Sequence, residues 1–558
     1  MLEVDGVPVL LAPTPGPMRA GLVFRVGRAD ETLATAGVTH LVEHLALHRL
    51  GVTDFHYNGM TGTTATQFVT QGTSESVARF LTGVCANLRD LPLDRLATEK
   101  NLIRTEAAGR PDGVNEHMPL WRHGARDYGL VSFPEWGMHT LTAEQVTASV
   151  RERFTRQNAV LWIAGAQIPD GLRLDLRDGR RWELPEPSSA LPVTPAVFNG
   201  VPDRIVMEAP VPRTRAGAAY ARLLERALFR ELRQERGLSY TAAAAYHTDG
   251  RPQALVTAVA DVQTGRGDAT VEVFLAQVSA LATNVVDDAE LETVRALELD
   301  GLRDPEVEGR LLARRSVDLL TGFAWPSTAE MVETFEKLTA ADIVEVAAAA
   351  SQAALLMLPA GTRRTPPGFE QAPTFSRFAV DGTRYRSRVD RDVVLVLGSD
   401  GASVVTADGP ATVLYDDSAV LLRWPDGGRR LIGGDGITVA IEPAYYPVGD
   451  DALAGLDAAV GPAKYVDLPE RDTPVVPAAS RIGAWRIRLR RFTLPWRARL
   501  DRFATLRGGR KNVLITTAMG VVAVGLILAA TLGARGLACP AVIWTGTFIW
   551  RWNRTMRR

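Results

Sequence analysis

The chain has 558 residues, 46% of them hydrophobic and 23% charged, which is too long for one core and too apolar for a disordered protein. Its formal net charge of −1 conceals a segregation, because residues 481–558 hold 16 basic side chains and one acid, leaving −16 on the first 480. An acidic body with a basic tail argues against nucleic acid as the partner and directs attention to the tail. Cys85 and Cys539 form no disulfide framework and neither lies in a CxxC, which fits a reducing compartment. The opening MLEVDGVPVLLAPTPG lacks the basic and long apolar regions of a secretory signal.

Pro- and Gly-rich stretches at 178–202, 361–374 and 467–480 divide the body into blocks at 1–177, 203–360 and 375–466. In the first block, residues 37–50 have the apolar period of a helix and TATQFVTQG (64–72) alternates as a strand does. SESVARFLTGVCANL (74–88) and LDRLATEKNLIRTEAA (93–108) are again helical. The second block repeats the plan, with a helix in AYARLLERALFRELRQ (219–234) and a strand in ALVTAVADV (254–262). Helices follow in ATVEVFLAQVSALATN (269–284) and DAELETVRALELDGL (288–302). Each block therefore reads as an α+β unit, a sheet with helices on one face, and the two read as copies of one unit.

The third block differs. Six short strands between residues 392 and 441, separated by SDG, ADGP, YDDS and PDGG turns, precede a helix in DDALAGLDAAV (450–460). That spacing predicts a small antiparallel sandwich or barrel, similar in pattern to the pleckstrin-homology-like modules of bacterial membrane proteins.

In the tail, residues 513–533 (VLITTAMGVVAVGLILAATLG) carry no charge over 21 positions. At ~1.5 Å per residue they match the ~30 Å hydrocarbon core of a bilayer. A second apolar run at 537–550 is short and interrupted by Pro540, so it is either a second span or an interfacial segment. Residues 481–511 hold 11 Arg/Lys and residues 551–558 hold four, which by the positive-inside rule puts the body in the cytoplasm, anchored to the cell membrane. The Arg, Trp and Phe mixed through 481–503 suit a helix lying on anionic lipid.

Chemistry concentrates in the first helix. His40, Glu43 and His44 stand at i, i+3 and i+4, so all three side chains share one face. Two neutral imidazoles at this spacing can bind one Zn²⁺ at ~2.0–2.1 Å each. A carboxylate beside the second histidine is placed to take a proton from a water there. Catalytic zinc needs a third protein ligand, for which Glu106 is the candidate, and Glu99, two turns earlier, is placed to orient a ligating histidine. His48 shares the face, but a catalytic ion keeps one corner open, so it reads as structural.

HLVEH followed by ExxxxxxE resembles the inverted-zinc-motif peptidases, the M16 family of pitrilysin, insulin-degrading enzyme and mitochondrial processing peptidase. VDGVPVLLAP, GRADE and AGVTH match the family's opening segments, and LRQERGLSY (232–240) is close to its second-half signature. The similarity covers residues 1–360. It implies that His40, His44 and Glu106 ligate zinc, that Glu43 is the general base with Glu99 behind the ligands, and that Arg233 and Tyr240 bind the substrate backbone. Thr64-Ala65 is taken to stand where the family has Asn-Ala, on an edge strand near 64–70 to which an extended peptide adds. The second block lacks the zinc set, with Gly301 near the place of Glu106, and is implied to be the inactive half. His44 and Glu106 are closer in sequence than is usual in the family, which leaves the substrate class open.

The expected architecture is therefore α+β: a catalytic half (1–177), an inactive half (203–360), a β-rich module (375–466), a basic juxtamembrane segment (481–511) and a transmembrane helix (513–533) or hairpin with 537–550. The expected function is a membrane-anchored zinc endopeptidase cleaving unfolded or short, leader-like peptides in a closed chamber. Its expected partners are the peptide, membrane lipid and a second M16-like chain, as homodimer or heterodimer. The competing reading is a non-catalytic M16-fold subunit at the membrane.

Overall fold

The computed structural model describes residues 2–50, 56–109, 117–283, 286–362 and 364–472, which lie in one compact unit. The basic segment and both apolar runs of the tail lie outside the described residues. Among the described residues no helix is long and apolar enough to cross a membrane.

The first half builds a six-stranded sheet from β1 (Leu2–Val4), β2 (Val7–Ala12), β3 (Met18–Phe24), β4 (Tyr57–Thr61), β5 (Thr66–Gly72) and β6 (Ala159–Ala164). Their order is β1-β2-β6-β3-β5-β4. One face packs against α1 (Val38–His48), α2 (Ser74–Arg89), α3 (Leu96–Gly109) and α6 (Ala143–Arg153), while α4 (His117–His123) and α5 (Gly137–Thr140) lie between α3 and α6 in the chain.

The second half has the order β12-β7-β11-β8-β10-β9, which repeats the first in five strands, while β12 comes last in its half and runs parallel to β7 where β1 comes first and is antiparallel to β2. Its strands are β7 (Ala196–Asn199), β8 (Arg204–Pro212), β9 (Ala242–His247), β10 (Gln253–Asp261), β11 (Leu355–Leu358) and β12 (Glu370–Gln371). Its helices are α7 (Arg215–Leu228), α8 (Gly267–Ala282), α9 (Asp288–Arg303), α10 (Val307–Thr321), α11 (Thr328–Glu336) and α12 (Ala340–Ala353).

The expectation of helices on one face only is corrected by the packing. Each sheet is covered on its second face by a helix lent by the other half. Leu312 and Leu320 of α10 lie on Ala12, Val160, Trp162 and Ala164 of the first sheet. Met118 and Trp121 of α4 lie on Phe198, Val206, Leu355 and Met357 of the second, with Trp121 stacked on Phe198 at 4.5 Å. A sheet with two apolar faces must bury both, and the exchange does so. Beside α4's apolar contacts, the buried Arg122 guanidinium donates to the Glu208 carboxylate at 3.0 Å and to the Glu208 carbonyl at 2.7 Å.

The β-rich module contains two four-stranded sheets. The first is an antiparallel meander of β13 (Thr383–Arg386), β14 (Val394–Leu397), β15 (Gly401–Val405) and β16 (Pro410–Leu414). In the second, β17 (Ser418–Arg423), β18 (Arg429–Gly433) and β19 (Thr438–Ile441) are joined by β20 (Tyr465–Asp467), which runs parallel to β17 after α13 (Asp450–Val460). β13 and β20 go beyond the six strands expected from sequence, and both are too short to show a period. Leu421, Leu431, Val439 and Ile441 turn inward to the module's own core. Val420, Leu422, Ile432 and Val466 turn outward and are buried against Leu33, Ala34, Ala125 and Leu130 of the first half.

Candidate metal centre

Helix α1 sinks Leu41, Val42, Leu45 and Ala46 into the core and presents His40, Glu43 and His44 to a cavity of about 740 Å³. Its start is set by two neighbours. Gly37 has φ +94°, and a Cβ there would lie 2.3 Å from Met138 and 2.8 Å from Glu135, so only glycine fits. The N–H groups of Gly37 and Thr39 donate to the Glu31 carboxylate at 2.8 and 2.9 Å, which caps the helix from outside its own sequence. Burial raises the Glu31 pKa to about 7 despite these bonds.

The imidazoles are oriented from behind. Nδ1 of His44 lies 3.3 Å from Glu99, which is nearly buried on α3. Nδ1 of His40 lies 3.0 Å from Glu135, just before α5. Both Nε2 atoms are thereby turned to Glu106, each 3.7 Å from its carboxylate. Burial alone would lower the His40 pKa, but the hydrogen bond and charge of Glu135, followed by Glu43 and Glu106, outweigh it and hold the pKa above its ordinary value.

One ligand atom from each of His40, His44 and Glu106 lies within 4.8 Å of the others. A tetrahedral ion with arms of ~2.0–2.1 Å sets its ligands ~3.4 Å apart, so the trio fits zinc after a small side-chain rotation. The donor set, two imidazoles oriented by carboxylates plus one carboxylate, suits the same metal. Glu43, beside His44, accepts a 2.7 Å hydrogen bond from Thr61 on β4. A Cβ at Gly59 would stand 2.5 Å from the Glu43 carboxylate, so the strand must be bare there for Glu43 to fit.

Other expected residues lie elsewhere. Thr64 and Ala65 occupy the turn between β4 and β5, where Thr64 is buried and donates to the Asp249 carbonyl at 2.8 Å. They do not line the cavity, and the strand they were assigned to is interior to the sheet. The sheet edge is β4, whose residues Tyr57 to Thr61 all line the cavity. The expectation that Thr64-Ala65 stand on an edge strand is therefore corrected: the edge beside the cavity is formed by Tyr57–Thr61.

Arg233 sits on a π turn (Phe229–Glu235) that continues α7, with its guanidinium 4.5 Å over the ring of Tyr240. Tyr240 is 72% exposed, and the pair lies outside the His40 cavity. His48 lies 3.8 Å from Glu99 at the cavity margin. Sequence reasoning missed Glu31, Glu135 and Thr61. Thr61 becomes visible once the edge strand is placed correctly, whereas Glu135 has no local signal.

Residues 206–297 match the model of the Peptidase M16 inactive domain. No curated protein matches the chain. Among solved structures the fold is similar to a protease from Helicobacter pylori, with 16% identity and a TM-score of 0.54 over 64% of this chain and 98% of that one. It is also similar to a peptidase M16 inactive domain from Pseudomonas fluorescens, with 12% identity and a TM-score of 0.54 over 66% and 99%. A chain of Complex III2 from Candida albicans matches at 12% identity and a TM-score of 0.52 over 63% and 92%. The matched segment falls in the half whose leading helix, α7, has no histidine. The second half thus carries the sequence of an M16 inactive domain, and the fold of the described residues is M16-like.

Proposed function

We propose that the chain is a zinc-dependent endopeptidase acting on unfolded or short peptides. The observation that carries this reading is the meeting of His40, His44 and Glu106 beside Glu43, with both imidazoles turned inward by buried carboxylates. His40, His44 and Glu106 would hold the ion, which when bound supplies a Lewis acid. Glu43 takes the proton of the attacking water and passes it to the leaving amine. Thr61 fixes one Glu43 oxygen. An extended peptide adds to the free edge of β4 through main-chain hydrogen bonds, which grip without demanding a particular sequence.

Arg233 and Tyr240 bind the peptide backbone in the same reading, from the second half of a facing chain, either another copy or a related subunit. The tail anchors the protein to the membrane with its body in the cytoplasm, and the β-rich module keeps its pleckstrin-homology-like reading on strand count and closing helix. A non-catalytic subunit is the alternative, since the matched family model is of the inactive type, but that match lies in the second half, away from His40 and His44.

The test is the zinc content of the full chain together with its cleavage of a random peptide pool, for wild type and Glu43→Gln. Zinc at one per chain with cleavage by wild type alone is the expected result. Zinc without cleavage by either protein favours the non-catalytic subunit.

A further inference from the structure

We propose that Glu135 is a positioning residue for His40, and that the β-rich module, by clamping the segment that carries Glu135, sets how tightly the centre holds its metal. This rests on the zinc reading above.

The two imidazoles have different supports. His44 is oriented by Glu99, which belongs to α3 and thus to the core of its own half. His40 is oriented by Glu135, on the segment 124–136, which has little regular structure beyond a short 3₁₀ turn. The module holds one side of that segment. The Ala125 N–H donates to the Gly434 carbonyl at 3.0 Å. Gly124 has φ +76°, and a Cβ there would stand 2.2 Å from the same carbonyl, so the two backbones touch. Ala125 and Leu130 are buried against the module's outward apolar face, and Phe133 and Trp136 pack on the same cluster.

The opposite side of the segment is pinned to residues 28–36, which lead into α1. The Phe133 carbonyl accepts from Arg28 at 3.0 Å, and a Cβ at Gly137 would lie 2.6 Å from the Ala36 carbonyl. Glu135 falls between these pins, its side chain 10% exposed. Its carboxylate position therefore depends on both sets of contacts, one of them with a module that contributes no ligand. A histidine whose second ring nitrogen loses its carboxylate becomes free to rotate, and such partners typically contribute about 10- to 100-fold in metal affinity.

The experiment measures Zn²⁺ affinity of the full chain by chelator competition, with the visible spectrum of the Co²⁺-substituted protein as the second readout. Glu135→Ala should weaken zinc by about 10- to 100-fold and shift the cobalt bands, and Glu135→Gln, whose amide oxygen still accepts, should recover part of the loss. Leu422→Asn, at the docking face and touching no ligand, should speed hydrogen exchange across 125–136 and weaken zinc in the same direction. Leu130→Asn repeats the perturbation from the other side of the contact should Leu422→Asn misfold. Combined with Glu135→Ala, Leu422→Asn should add little, whereas combined with Glu99→Gln it should add in full.

Glu135→Ala binding zinc as wild type does, with unchanged cobalt bands, overturns the proposal. So does a docking variant that loosens 125–136 and leaves zinc affinity intact. A wild-type chain that binds no zinc sinks the peptidase reading itself, a separate failure.

Discussion

The two halves share the order of five strands, yet they place their polar groups at different points of the same connection. In the first half the ionisable groups lie on α1 itself, as His40, Glu43 and His44. In the second, α7 devotes its inner face to Tyr220, Leu223, Leu224 and Leu228, and the polar pair Arg233 and Tyr240 comes after it, before the edge strand β9. A helix can carry three ionisable groups toward the interior only where neighbours satisfy them. The first half supplies those neighbours as Glu99, Glu135 and Thr61. The difference between two copies of one fold thus lies in the surroundings of a helix as much as in its residues.

The comparison can be broken or sharpened by substitution. Glu43→Gln should cost the first half on the order of 10²- to 10⁴-fold in kcat while zinc content stays at one per chain. A rate that survives would move the chemistry off α1. Arg122→Met removes the buried ion pair by which α4 reaches the second sheet and strands the Glu208 charge, for a loss of about 3–5 kcal/mol in chemical denaturation. An unchanged midpoint would mean that the apolar exchange alone joins the halves.

Smaller effects follow. Arg233→Ala should raise KM by about tenfold to a hundredfold with little change in kcat, as expected for a group that grips rather than reacts. A fall in kcat at constant KM would assign the second half a chemical role. Thr61→Val should lower kcat by about tenfold through loss of one hydrogen bond to the base, with zinc affinity unaffected.

The smallest effect concerns pH. The Glu31 pKa is raised by burial from the ordinary carboxylate range to about 7, so between those values the folded state binds more proton than the unfolded one. Its contribution therefore lowers stability as pH rises through that window. Glu31→Gln resembles the protonated acid, so the two melting temperatures should agree near pH 5 and wild type should fall behind by pH 8. A gap that opens toward acid instead would reverse the assignment.

Much of this was legible because it is local. Spacings of three, four and seven residues put His40, Glu43 and His44 on one face of α1 and Glu99 with Glu106 on one face of α3. Glu135 was not legible, because it meets His40 across 95 positions from a segment with no period. The edge strand was misplaced because YNGMT carries Asn and Gly where a strand usually carries branched residues, and Gly59 is there for the sake of Glu43. One signal was present and unread. Val420, Leu421 and Leu422 are consecutive and apolar, which in a strand means burial on both faces and so a docked module rather than a free one.

The reciprocal loan of α4 and α10 has a consequence for how the molecule comes apart. Each half completes its partner, so the peptide bonds of 178–202 are not what keeps them together, and a nick there would yield two fragments that remain associated and purify together. Expressed separately, either fragment would have a bare sheet surface of the kind that invites aggregation.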